Sequence, residues 1–178
     1  MKGVIYNLVE SVVRAERGDD AWDDVIDESG VSGAYTSLGS YPDDELVDIA
    51  TAAADLLGTD TSSVIRHVGH ASIATLADRY PEFFDPHDDL RSFLLTLNGI
   101  IHPEVRKLYP GAQVPDFDYR TDDPAVLDLV YRSERGRCDL AEGLILGSAG
   151  HFGQRVEVTQ PECVHRGDPA CVLRVRTL

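Results

Sequence analysis

The hydrophobic period of this chain changes once, at Pro110-Gly111, and that change restricts the fold more than any other feature. Before it, Leu90, Phe93, Leu94, Leu97, Ile100, Ile101, Val105 and Leu108 keep helical spacing for about five turns from Asp88, which predicts one long helix. Upstream, Val4, Ile5, Leu8, Val9, Val12 and Val13 form the stripe of a first helix that Gly18 stops. A second helix is expected over Ala21 to Asp27. A third opens at Pro42-Asp43-Asp44-Glu45, where a ring without an N–H and acids facing the macrodipole suit a helix start, and it ends at Gly58. A fourth, capped by Asp60 or Thr61, carries Val64, Ile65, Val68, Ile73 and Leu76 and stops near Pro81. Beyond Pro110-Gly111, Phe117 and Tyr119 alternate, Val126 to Arg135 reads as a strand and Asp139 to Leu146 as a helix. Val156 to Val158 and Val172 to Arg176 read as strands around the turn residues Arg166-Gly167-Asp168-Pro169. The expected fold is α+β, a helical N-terminal part feeding an antiparallel sheet, in one domain over residues 1–178.

Charge narrows the partners. Thirty-one acids against sixteen basic side chains give a net charge of -15, which disfavours a sequence-independent grip on nucleic-acid phosphates or anionic lipid. Lys2 and Lys107 are the only lysines, and Asp supplies twenty-one of the acids; such a surface suits a salt-rich cytoplasm, where screening relieves self-repulsion. No signal-peptide core opens the sequence, and its most apolar stretch, residues 93–101, is too short and interrupted to span a bilayer. A cytoplasmic protein is expected.

Two constellations carry chemistry. His102 stands in the apolar register of the long helix, where a neutral imidazole can offer a ring nitrogen to a metal. Taken alone it reads more readily as a core or boundary histidine bonded to a carbonyl. In Tyr131-Arg132-Ser133-Glu134-Arg135, alternate residues share one face if the segment is a strand, so a phenol, a hydroxyl and a guanidinium point together. That set matches a carboxylate, the guanidinium by a charge-assisted and bidentate pair. A half-exposed strand with ordinary polar residues would show the same five-residue pattern.

Together with Met1-Lys2-Gly3, the Trp22 region, Tyr41-Pro42-Asp43 and Lys107-Leu108-Tyr109-Pro110-Gly111-Ala112, these residues resemble the H-NOX family, the haem nitric oxide/oxygen-binding domains related to soluble guanylate cyclase. The resemblance covers essentially the whole chain. It implies one haem b between a helical distal part and a mixed proximal part that carries the histidine helix. His102 matches the iron ligand; Tyr131, Ser133 and Arg135 match the propionate-binding residues; Pro115 occupies the place of a proline that presses on the porphyrin. Ile5, Val9, Leu140 and Leu144 are expected on the distal side. Oxygen-binding members carry a tyrosine where this chain has Leu140, so NO and CO should be preferred over stable O2 binding. Tyr6 offers no substitute if its neighbour Ile5 faces the cofactor. The implied function is gas sensing rather than catalysis. With 178 residues leaving no room for an output region, the partner is expected in trans: a histidine kinase, a cyclic-dinucleotide enzyme or a chemotaxis receptor.

Pro103 directly follows His102. Proline inside a helix lacks the donor for the carbonyl four residues back, here Gly99, and crowds it, so a kink or opened turn is expected at the ligand helix. Cys138, Cys163 and Cys171 bracket the C-terminal hairpin and can supply three corners of a zinc site. The histidine that some bacterial relatives place three residues before the first hairpin cysteine is Gln160 here, so His165 or His151 would have to be the fourth ligand. Reduced thiols, or a reversible disulfide between Cys163 and Cys171, are the competing reading. The hairpin also resembles the related 4-vinyl reductase domain, which leaves a haem-free small-molecule or zinc/thiol redox-sensing module as the alternative function.

Overall fold

The computed structural model describes residues 1–178. Helices α1 (Gly3–Arg17), α2 (Asp19–Ser29), α3 (Asp44–Leu57) and α4 (Thr61–Arg79) build the N-terminal part. Asp60 caps α4 by accepting from the Ser63 N–H at 2.9 Å, and Gly18, Gly30 and Gly58 end the three earlier helices at positive φ. Pro42 lies outside α3 rather than opening it: the helix begins at Asp44, and the Pro42 carbonyl accepts the Tyr6 hydroxyl at 2.5 Å. Tyr6 is fully buried and stacks on Tyr35 with ring centroids 4.3 Å apart. One hydrophobic cluster, with Tyr6, Val9, Trp22, Leu46, Ile49 and Val68 at its centre, joins these helices.

The long helix expected over residues 90–108 is interrupted. After α5 (Pro81–Phe84), it divides into α6 (Leu90–Leu95), a π turn (Leu97–Ile101) and α7 (His102–Leu108). The Ile101 N–H reaches back five residues to the Thr96 carbonyl at 3.2 Å, and the His102 N–H reaches Leu97. Pro103 has no N–H to extend the α ladder, and the widened turn just before it is the opened turn its position called for. Asn98, within this turn, holds the edge of the sheet: its side chain donates to the Phe117 carbonyl at 2.7 Å and accepts from the Phe117 N–H at 3.1 Å.

The sheet has four antiparallel strands in the order β1 (Asp116–Arg120), β2 (Val126–Arg132), β4 (Cys171–Thr177), β3 (Val156–Thr159). Its buried face, with Phe117, Leu127, Leu129, Tyr131, Leu173 and Val175, packs in the second hydrophobic cluster with α6 and with α8 (Cys138–His151). Strand β2 is shorter than expected. Its last pairing is Asp116 with Arg132, because Pro115 precedes β1 and has no N–H for the ladder; residues 133–136 then turn, closed by Gly136 at φ 61°.

Helices α4 and α8 meet almost backbone to backbone. A methyl group on Gly143 would lie 2.0 Å from the Arg66 carbonyl oxygen, one on Gly147 2.4 Å from the His70 carbonyl, and one on Gly69 2.7 Å from the Leu140 carbonyl. Glycine at these three positions is therefore a packing requirement. The approach brings one face of α8 against the N-terminal helices, with the adjacent face turned to a cavity.

Candidate cofactor site

Between the helical part and the sheet lies a cavity of about 300 Å³, and 24 of the 32 residues lining it are hydrophobic. That volume reaches the lower end of small-molecule sites, roughly 300–1,000 Å³. Helix α1 contributes Val4, Ile5 and Leu8; α8 contributes Leu140, Ala141, Leu144, Ile145 and Ser148; the π turn and α7 contribute Ile101, His102 and Val105. Val9 is not on this wall. It turns into the N-terminal core and lines a separate apolar void of about 20 Å³ that also touches Ile5 and Leu140. The cause is helical rotation: Ile5 and Leu8 bracket the cavity-facing direction, and Val9 lies a further 100° or so around.

His102 is the one imidazole on the cavity wall. Its Nδ1 is buried with no hydrogen-bond partner, and the ring lines the cavity. Burial, reinforced by the Arg106 charge, lowers its pKa to about 4, against the smaller opposing pull of the Pro115 carbonyl and Asp116. The ring is therefore neutral at physiological pH, the form that can ligate a metal. It stacks at 6.0 Å on Phe117, which Asn98 ties to the same turn. Pro115 lines the cavity beside it.

Tyr131, Ser133 and Arg135 also reach the cavity, although not by the pleat of a strand. Only Tyr131 is in β2; the turn after Arg132 brings Ser133 and Arg135 round. The buried Tyr131 hydroxyl accepts from the Arg137 backbone N–H at 3.2 Å, and burial pushes the phenol pKa up. Arg135 is not idle: its Nε donates to Asp43 at 2.6 Å and its Nη1 to the Gln113 carbonyl at 2.8 Å. Asp43 also pairs with the Met1 ammonium, and despite the opposing effect of its burial these partners hold its pKa below the usual value. Asp43, Gln113 and Asn98 were missed by sequence reading, because each acts on a partner 19 or more residues away.

Leu140 and Leu144 have no donor, and the Ser148 hydroxyl on the same face donates to the Leu144 carbonyl at 2.8 Å. Tyr6 points away, as its bond to Pro42 requires. The three cysteines do converge, with Cys138 and Cys171 each 3.7 Å from the Cys163 sulfur and all three buried. They lack a fourth ligand. His165 is turned outward by the short helical turn Val164–Arg166, with Nε2 2.7 Å from the Gly136 carbonyl, and His151 packs against Phe84 and Phe152. The expected fourth ligand is thus corrected: no histidine or carboxylate joins the thiols, and three-sulfur chemistry alone assigns no structural zinc, which takes four ligands.

A cavity with one unpartnered imidazole, a carboxylate-matching end and an apolar far wall fits a metallo-porphyrin with acidic side chains. The family model described as Haem-NO-binding matches residues 2–160. The chain belongs to the haem-NO-binding (H-NOX) family. H-NOX domains bind haem and act as gas sensors rather than as enzymes, signalling to partner proteins. The chain is similar to an H-NOX protein from S. oneidensis in the Fe(II)NO ligation state, at 31% identity over 100% of this chain and 99% of that one, with TM-score 0.92. It is also similar to an H-NOX domain from Shewanella oneidensis in the Fe(II)CO state, at 31% identity with the same coverage and TM-score 0.89. An Fe(II) unliganded H-NOX protein from K. algicida, 23% identical over 100% of this chain and 97% of that one, shares the fold at TM-score 0.88. None of the curated proteins matches. As in the sequence, no helix is long and apolar enough to cross a membrane.

Proposed function

We propose that this chain is a haem b sensor of NO and CO, with little stable O2 binding, that acts in the cytoplasm as one domain and reports to a separate signalling protein. The observation that carries this reading is the cavity itself, in which a single neutral imidazole with an unpartnered nitrogen faces walls that offer no free donor from Leu140, Leu144 or Ser148. Bound haem supplies the ferrous iron at which a diatomic gas coordinates.

The chain's own residues then have distinct tasks. His102 would offer a ring nitrogen to the iron, and its low pKa keeps a lone pair there unprotonated. Tyr131, Ser133 and Arg135 hold carboxylates at the polar end, with Arg135 preset by Asp43 and Gln113. Pro115, which lines the cavity together with His102, would press on the cofactor. Ile5, Leu140 and Leu144 would exclude water and offer a gas no hydrogen bond, which would cost O2 more than NO or CO. His102 stands at the junction of the π turn and α7, so a change in its position passes into the irregular turn and through Asn98 to strand β1. A histidine kinase, a cyclic-dinucleotide enzyme or a chemotaxis receptor would read that shift.

The test is the absorption spectrum of the reconstituted ferrous protein, recorded anaerobically, in air, and with NO or CO. Bands that respond to NO and CO, persist unchanged in air and alter in His102→Ala support the proposal. A stable O2 complex would refute the selectivity, and failure to take up haem would refute the haem reading in favour of a haem-free ligand module.

A further inference from the structure

We infer that Arg137, outside the Tyr131–Ser133–Arg135 set, is a second cationic anchor for the carboxylates of the cofactor; the inference rests on the haem reading above. Arg137 lines the cavity, and its Nε is buried with no hydrogen-bond partner. Its side chain forms no ion pair, in a chain where acids outnumber basic side chains 31 to 16. Arg66 also has a buried Nε, but that one faces Glu142 at 2.9 Å, so of the two arginines with such a buried nitrogen Arg137 is the one that forms no ion pair.

The neighbouring Asp139 forms no ion pair with it, although the Arg137 charge acts to lower the pKa of that carboxyl. Asp139 is buried, its pKa is raised by that burial, and its Oδ1 accepts from the Leu140 N–H at 2.9 Å. Arg135, meanwhile, already has its charge matched by Asp43 at 2.6 Å. Haem b brings two carboxylates, and Arg135 is already engaged by Asp43, which it shares with the Met1 ammonium. A guanidinium with unused donors on the same wall, two residues beyond Arg135 and tied through its own backbone N–H to the Tyr131 hydroxyl, is available to them.

The test compares wild type, Arg137→Gln, Arg137→Lys and the surface control Arg132→Gln, each reconstituted with haem b or with its dimethyl ester. The rate of ferric cofactor transfer to excess apomyoglobin is the readout, and far-UV circular dichroism confirms equal folding. Arg137→Gln should lose haem b about 10- to 100-fold faster. Arg137→Lys should fall between, the diester should leave wild type and Arg137→Gln at equal rates, and Arg132→Gln should match wild type. An unchanged haem b rate in Arg137→Gln overturns the inference, as does equal acceleration for both cofactors, which would mark a packing role. Wild type that takes up neither cofactor overturns the haem reading itself, an outcome visible before any Arg137 variant is measured.

Discussion

Gly143→Ala isolates the contact on which the cavity wall depends. The added methyl would sit 2.0 Å from the Arg66 carbonyl oxygen, 2.8 Å from its carbon and 3.0 Å from the His70 nitrogen. All three atoms are backbone, so no rotamer change can relieve the clash. Restoring an ordinary contact near 3.4 Å requires α8 and α4 to part by about 1.4 Å at this point. Overpacking costs about 1–3 kcal/mol, and an obstacle made of helix backbone belongs at the upper end. At roughly 2–4 °C per kcal/mol for a chain of this size, the melting temperature should fall by about 6–12 °C. Gly150→Ala, on the same helix with nothing within 4 Å of the added methyl, is the matched control. There alanine gains only helix propensity, about 0.5 kcal/mol near a helix end, and the melting temperature should rise slightly. Thermal unfolding of the apo proteins by circular dichroism measures both. A Gly143→Ala melting temperature within about 2 °C of wild type would show that the helices yield freely and refute the argument.

Other perturbations test the site. Leu140→Tyr places a phenol on the donor-free wall and should create a stable O2 complex, seen as altered absorption bands in air; bands that stay unchanged would mean the wall's lack of a donor is not what limits O2. Because the His102 pKa lies near 4 in the fold against 6.5 ordinarily, the folded state binds fewer protons than the unfolded state between those values. Stability of the apo protein should therefore fall as pH drops from about 6.5 through about 4, by at most about 3 kcal/mol and less for a half-buried ring. Denaturant titrations across that window should show a shallower slope in His102→Ala. Pro103→Ala restores a backbone donor and should let the π turn tighten, shifting the five- to six-coordinate ratio of the NO complex; an unchanged ratio separates the turn from the iron–histidine bond. Asn98→Ala leaves the Phe117 backbone groups unpaired and should cost about 1–3 kcal/mol in denaturant unfolding.

Most of the elements were legible from local pattern, because burial on one face imposes a period and glycine or proline punctuates it. Gly18 and Gly58 end α1 and α3 where expected. The boundaries that moved were decided by partners remote in sequence. The strand through Tyr131 stops at Arg132 because β1 has no further donor after Pro115, and the single long helix contains a π turn that Asn98 clamps to β1. At the site, the chemical types of His102, Tyr131, Ser133 and Arg135 were readable, while the unpaired guanidinium of Arg137 and the pairing of Arg135 with Asp43 were not. Val9 and His165 were misplaced for the same reason, since spacing names a helix face or a turn but not the neighbour that face will meet.

By itself, then, the amino-acid sequence determined the α+β class, the imidazole in an apolar register, the carboxylate-matching signature and a wall without a tyrosine at position 140. These depend on residue type and local period, which survive in the unfolded chain. The tertiary structure alone decided that His102 keeps a neutral ring with a free nitrogen, that three thiols meet without a fourth ligand, and that α8 presses close enough to α4 to shape the cavity. Those outcomes are set by burial and by distances between segments far apart in the chain, and no local pattern encodes either.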